Sequence, residues 1–161
     1  MTISLHNIKL CLYQPDIPQN TGTIMRTAAC LGLQIELIEP LGFVLDEKRM
    51  RRSGMDYMDH VNVVRYASWD RFNHHRQSET TSRLILLTTK AAVPYTQFNF
   101  KQGDRLLLGQ ESAGVPDKVH DAADARIIIP MNSGMRSLNI AQSAAMVAGE
   151  ALRQLNAFSN P

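Results

Sequence analysis

An uninterrupted aliphatic run that stops in glycine and polar residues leaves few folds open, and this chain carries two such runs close together. Leu106-Leu-Leu-Gly-Gln-Glu-Ser-Ala-Gly-Val-Pro116 is followed by Ile127-Ile-Ile-Pro-Met-Asn-Ser-Gly-Met-Arg-Ser-Leu-Asn139. Strands without polar alternation are buried on both faces, which occurs mainly in parallel sheets covered by helices. Such sheets bind their ligands at the carboxyl ends of the strands. Two loops rich in backbone donors therefore predict one composite site.

The rest of the chain fits the same plan. Ile8–Tyr13 reads as a strand, and Asn20 is placed to cap a helix from Thr21 to Leu31 that Gly32 ends. Leu33–Glu39 and, more weakly, Val61–Arg65 read as strands, and Ser68 as the cap of a short helix through Trp69 and Phe72. Leu84–Leu87 is a further buried strand, ending at Thr88-Thr-Lys90. From about Asn139 to Leu155, Ile140, Ala144, Val147, Ala151 and Leu155 recur at helical spacing, and the tail beyond them is expected to fray. Alternating strands and helices predict a three-layer α/β fold with a mostly parallel sheet. At 161 residues, with no linker or internal repeat, the chain is expected to form one domain spanning 1–161.

Hydrophobic residues at 44% and charged residues at 20% are ordinary for a globular protein, and no apolar run approaches the roughly 20 residues of a membrane span. Met1–Asn7 lacks the features of a secretory signal. Cys11 and Cys30 have no paired spacing and read as buried free thiols, so a cytoplasmic protein is expected. The net charge of +2 identifies no partner, but Lys48, Arg49, Arg51 and Arg52 are crowded into one segment. Such a cluster can neutralise phosphates; it can equally be the solvated face of a helix whose N-terminus Asp46 and Glu47 favour.

Several familiar chemistries are excluded. Gly109 and Gly114 have phosphate-loop spacing, yet Val115-Pro116 stands where Lys and Ser/Thr are required. No GxGxxG follows the first strand, the histidines lack metal-ligand spacing, and Ser112 has no nucleophile elbow. Neither a metal nor a membrane is expected. What remains are the loops after three strands, with Glu111, Ser112, Arg136, Ser137 and Asn139 as their side-chain chemistry, joined by Asn20 and Arg26 from the first loop and helix. Asn139 is equally a helix cap, Ser137 a turn residue, and Arg26 a surface ion-pair partner.

Pro15-Asp-Ile-Pro-Gln-Asn-Thr-Gly-Thr-Ile-Met-Arg26, Gly109–Pro116 and Ile129–Asn139 resemble the three motifs of SPOUT-superfamily RNA 2′-O-ribose methyltransferases. Ile38-Glu-Pro-Leu-Gly-Phe43 and Lys48–Tyr57 are similar to the small tRNA (cytidine/uridine-2′-O-)-methyltransferases of the TrmL type, which act at the anticodon wobble position. The resemblance runs from about Lys9 to Leu155. It implies a C-terminal trefoil knot that cradles S-adenosyl-L-methionine, and a homodimer whose site is completed near the interface. It places cofactor contacts at Leu87, Gly109, Ile129 and Ser137, and catalytic positions at Arg26, Asn20, Glu111 and Asn139. Lys48, Arg49, Arg51, Arg52 and Arg136 are expected to hold tRNA phosphates. The sequence departs from the pattern at Gln110, where Pro is common, at Ala141, where Ser is often found, and at Gly149 and Leu152, which replace Tyr and Trp.

By general chemistry Glu111 is the natural base for a ribose hydroxyl, because a guanidinium keeps its proton up to a pKa above about 12. The resemblance instead assigns activation of the hydroxyl to Arg26. The rivals are a noncatalytic RNA-binding module that keeps the fold, and a ribosomal-RNA 2′-O-methyltransferase.

Overall fold

A computed structural model describes residues 6–52 and 56–158, with only the backbone at 51, 52 and 56. The initial residues 1–5, the segment 53–55 and the last three residues lie outside the description. Among the described residues seven strands form one sheet: β1 (Lys9–Tyr13), β2 (Gln34–Ile38), β3 (Val63–Tyr66), β4 (Leu84–Leu87), β5 (Val93–Pro94), β6 (Arg105–Leu108) and β7 (Ala125–Ile128). Their spatial order is β3-β2-β1-β6-β4-β7-β5, and every pairing is parallel. The expectation of a mostly parallel sheet therefore holds. The two-residue β5 at one edge lies outside what hydrophobic runs can reveal, because Val93-Pro94 offers no run at all.

Among the described residues five α-helices accompany the sheet: α1 (Pro18–Leu31), α2 (Glu47–Arg52), α3 (Trp69–Ser78), α4 (Asp117–Ala122) and α5 (Ile140–Gln154). Strand residues alternate between two cores. Leu10, Leu12, Ile35, Leu37, Leu106 and Leu108 meet Ile24, Met25 and Ala28 of α1 and Ala144, Val147 and Ala151 of α5. On the opposite face Cys11, Tyr13, Ile38, Leu84, Leu86 and Leu107 meet Trp69 and Phe72 of α3 and Val119 of α4. Both faces of the sheet are thus covered, the condition the aliphatic runs imply.

The helix ends follow local chemistry. Asn20 does not cap α1; the helix begins at Pro18, after Ile17, because a proline at the first position loses only an N–H that would have no partner. Gly32 ends it at φ 66°, as expected. Ser68 accepts from Arg71 N at 3.2 Å and caps α3. Asn139 caps α5, its Oδ1 accepting from Ala141 N at 2.8 Å. Residues 156–158, the described part of the chain beyond Leu155, are ordered rather than frayed. Asn156 turns left-handed at φ 56°, Asn156 N bonds to Arg153 O, and buried Ala157 donates to Leu152 O at 2.9 Å. That is a Schellman closure with its apolar contact, and it needs a residue that tolerates positive φ, which Asn does. Cys11 is buried but Cys30 is exposed, against the expectation of two buried thiols.

One polar cluster lies inside the α3 side of the sheet. Arg105 and Glu36 are 0% and 1% exposed, and Arg105 Nε and Nη2 donate to the two Glu36 oxygens at 2.8 and 3.2 Å. Glu79 lies 2.9 Å from Arg105 Nη1, and Cys11 Sγ and Tyr66 OH also donate to Glu36. Burial, with the Glu36 charge beside them, pushes the Cys11 thiol well up and the Tyr66 hydroxyl up to about 12. Removing Glu36 leaves the buried guanidinium of Arg105 with only the partly exposed Glu79 carboxylate opposite it: Glu36→Leu should cost about 3–5 kcal/mol. In urea unfolding, Glu36→Leu/Arg105→Met should be markedly more stable than Glu36→Leu alone, since neither charge is then left buried.

Candidate functional site

The carboxyl ends of β4, β6 and β7 open into one cavity of about 550 Å³. Its floor is apolar, formed by Leu86, Leu87, Leu108, Ile128 and Ile129, and its rim is polar. That is the size and make-up of a site for a small organic molecule. Every cofactor position implied by the resemblance, Leu87, Gly109, Ile129 and Ser137, lines it, and so do Asn20, Glu111, Arg136 and Asn139. Three loops far apart in sequence therefore converge as the sequence predicts.

The loop after β6 is shaped by its own backbone. Gln110 N donates to Gly114 O and Gly114 N to Gln110 O, both at 2.8 Å, which folds residues 110–114 back on themselves. A Cβ at Gly109 would lie 2.7 Å from the Gly114 carbonyl carbon. Glycine at 109 is thus required first by loop closure, and only second by approach of a ligand. Gln110, the departure from the common Pro, supplies the N–H that a proline lacks. Its side chain also donates to Gln14 O at 3.0 Å, binding this loop to the one after β1.

Asn139 unites the two readings the sequence leaves open. While Oδ1 caps α5, Nδ2 donates to Asn20 Oδ1 at 3.0 Å. One amide thus fixes the last helix to the first at the rim of the cavity, and the cap dictates which amide end faces Asn20. Asn20 owes its position to the first turn of α1 and not to a cap of its own.

Glu111 is half-buried, and its Oε2 accepts from Asp16 N at 3.2 Å. Ser112 Oγ donates to Asp16 Oδ2, while Asp16 Oδ1 and Glu111 Oε1 are buried without a hydrogen-bonding partner among the described residues. Burial foremost, then the neighbouring Asp16 carboxyl, raises the Glu111 pKa above the ordinary carboxylate range. The adjoining Glu111 carboxyl, then the Ser112 hydroxyl, lowers that of Asp16. Glu111 is accordingly the member of the pair that holds a proton more tightly. Asp16 escapes a reading of the sequence for site residues; its one signal is a carboxylate held between Pro15 and Pro18 in the first motif.

Arg26 is not brought into the cavity. It is exposed on α1, its guanidinium carbon 5.8 Å from the centre of the Tyr57 ring. Lys48 and Arg49 are exposed on α2, whose N-terminus Asp46 caps by accepting from Arg49 N at 3.0 Å. The basic segment is thus a capped helix; its Arg51 and Arg52 side chains lie outside the described residues. Among the described residues no group of His, Cys, Asp and Glu could hold a metal, and no helix is long and apolar enough to cross a membrane.

Comparison with known proteins completes the description. Residues 7–149 match the SpoU rRNA methylase family. A tRNA (cytidine(34)-2′-O)-methyltransferase from Beijerinckia indica is 55% identical over 150 residues, 93% of each chain. A solved structure concerned with the 2-OH methylation of C/U34 on tRNA is 38% identical with a TM-score of 0.86, covering 94% of this chain and 97% of its own. The SpoU methyltransferase AviRb from Streptomyces viridochromogenes, solved with AdoMet, is 28% identical with a TM-score of 0.79, over 95% of this chain and 62% of its own. With the family match spanning nearly the whole chain and the cavity assembled from its motif loops, this protein belongs to the SpoU methylase family.

Proposed function

We propose that this chain methylates the ribose 2′-oxygen of tRNA at the wobble nucleotide, C or U, using S-adenosyl-L-methionine. The observation that carries the reading is the joint one: 55% identity to a tRNA (cytidine(34)-2′-O)-methyltransferase over 93% of each chain, together with a cavity lined by the implied cofactor residues. We infer one domain over 1–161, working in the cytoplasm where its tRNA is. The similarity to a tRNA enzyme over nearly its full length favours this over the ribosomal-RNA and noncatalytic readings.

The cavity fits the cofactor. Leu87, Leu108 and Ile129 offer an apolar floor to an adenine, and the strand-end loops offer backbone N–H and C=O groups to its edge. When bound, S-adenosyl-L-methionine supplies an activated methyl group. The protein's part is to hold the ribose oxygen in line with that methyl, exclude water and let the hydroxyl proton leave. Glu111, accepting from Asp16 N, is assigned to holding the two loops; Arg26 is assigned to the ribose hydroxyl and its neighbouring phosphate, with Lys48, Arg49, Arg51, Arg52 and Arg136 on other phosphates. Asn20 and Asn139 fix the rim.

Two further parts of the reading rest on arrangement. A trefoil knot is supported by β7 lying between β4 and β5, and by Gln154 of α5 bonding to Phe98 O and Phe100 N of the segment before β6. A homodimer is supported by the exposed apolar side chains of Ile17, just before α1, Leu138, just before α5, and Met146 on α5. It also accommodates an Arg26 that stands outside the cavity of its own chain. Leu152 is spent on the chain's own core, while Gly149 leaves open space on α5.

Arg26→Ala should abolish single-turnover methylation of tRNA while leaving cofactor affinity by calorimetry within about twofold; a wild-type rate would remove Arg26 from the chemistry. Neutralising Lys48 and Arg49 should weaken tRNA binding and reduce its salt slope by about two, one per phosphate contact. Gly109→Ala, by driving a methyl into Gly114, should lower cofactor affinity at least about tenfold with the sheet intact by circular dichroism. Carbon-13 titration should give Glu111 a midpoint above the ordinary value of about 4.3, moving down in Asp16→Asn as the neighbouring charge is lost. An unmoved midpoint would mean the two carboxyls do not interact.

A further inference from the structure

Tyr57 lies in the segment that follows the basic helix, and the sequence alone gives it no task. In the structure it is anchored twice. Its hydroxyl donates to Gly22 O of α1 at 3.2 Å, and its half-buried ring packs against the core beside buried Met58. The ring also lies under Arg26, at 5.8 Å, within the roughly 6 Å over which an aromatic face attracts a cation. Gly22 and Arg26 are one helical turn apart, so a single side chain grips α1 at a carbonyl and supports the guanidinium one turn above it.

Among the described residues Arg26 makes no ion pair. A long, exposed arginine without a carboxylate partner would sample many rotamers, and a group required at a reacting oxygen cannot do its work from most of them. An aromatic face narrows that range without neutralising the charge. It leaves the N–H fork free for a hydroxyl and a phosphate. A carboxylate in the same place would occupy the fork.

We propose that Tyr57 is a positioning residue for Arg26: pinned to α1 through Gly22, its ring holds the guanidinium over the helix and joins the tRNA-gripping segment around α2 to the arginine that serves the ribose. The 3-10 turn that carries Tyr57, Asp56–His60, packs against both α1 and α2, so a tRNA load on the basic helix reaches Arg26 through this ring. The inference rests on the role given to Arg26 above, and its test separates the two.

The experiment is single-turnover methylation at saturating tRNA and cofactor, with enzyme in excess, for Tyr57→Leu, Tyr57→Phe, Arg26→Ala and Arg26→Ala/Tyr57→Leu. Tyr57→Leu should slow methyl transfer about ten- to hundredfold, the scale of a small misplacement, with tRNA and cofactor dissociation constants unchanged within about twofold. Tyr57→Phe, which keeps the ring, should recover most of that loss. In the Arg26→Ala background, Tyr57→Leu should add nothing to the residual rate. A wild-type rate for Tyr57→Leu beside an inactive Arg26→Ala overturns the positioning role and leaves Arg26 standing. Equal losses in both backgrounds also overturn it, because Tyr57 would then act elsewhere. A wild-type rate for Arg26→Ala sinks the Arg26 assignment itself, and this one with it. If Tyr57→Leu does not fold, the wild type decides by NMR. The Arg26 side-chain protons should be shifted upfield by the ring and remain so in Tyr57→Phe; unshifted protons overturn the proposal.

Discussion

The central strands β1, β6 and β4 run side by side with helices on both faces, and their residues are almost all buried. Burial on both faces leaves a parallel sheet only its strand ends with which to meet a ligand. All strands point one way, so the loops after β4, β6 and β7 leave from one edge and a cavity forms where they diverge. The cavity follows from that geometry before any side chain at its rim is considered.

What turns three adjacent loops into a defined site is a set of short polar ties between them. Gln110 reaches the loop after β1, Glu111 and Ser112 hold Asp16 in the same loop, and Asn139 couples the start of α5 to Asn20. Gly42, from the loop after β2, presses on Asp16: a Cβ there would come within 2.7 Å of the Asp16 side chain. Each tie is a hydrogen bond or a close contact of modest worth, yet together they leave the rim few alternative arrangements. Glu111 shows the consequence. Its environment, more than its residue type, decides that it holds the Asp16 loop.

Much of this was legible in the chain. The aliphatic runs at Leu84–Leu87, Leu106–Leu108 and Ile127–Ile129 marked the strands because full burial forbids polar alternation. Ser68, Gly32 and Asn139 marked helix ends, since capping is decided within a few residues. Elements that depend on distant partners were not legible. Val93-Pro94 is a strand only because β7 lies beside it. The short α4 has no apolar periodicity to announce it, and the buried Arg105 is tolerable only because Glu36 and Glu79 arrive from other elements.

The candidate site divides along the same line. Sequence alone determined which loops matter and which residue types they carry, because motif order and strand ends are local properties of the chain. Tertiary structure alone decided what each residue does there. Asn139 became a brace to α1 as well as a cap, Gly109 a requirement of its own loop, and Glu111 a tie to Asp16. Arg26 fell outside the cavity and onto the ring of Tyr57. Those roles are set by neighbours that the fold brings from far along the chain, as Asn139 and Asn20 are, 119 residues apart. No local pattern can encode a contact at that separation; packing of the whole sheet creates it.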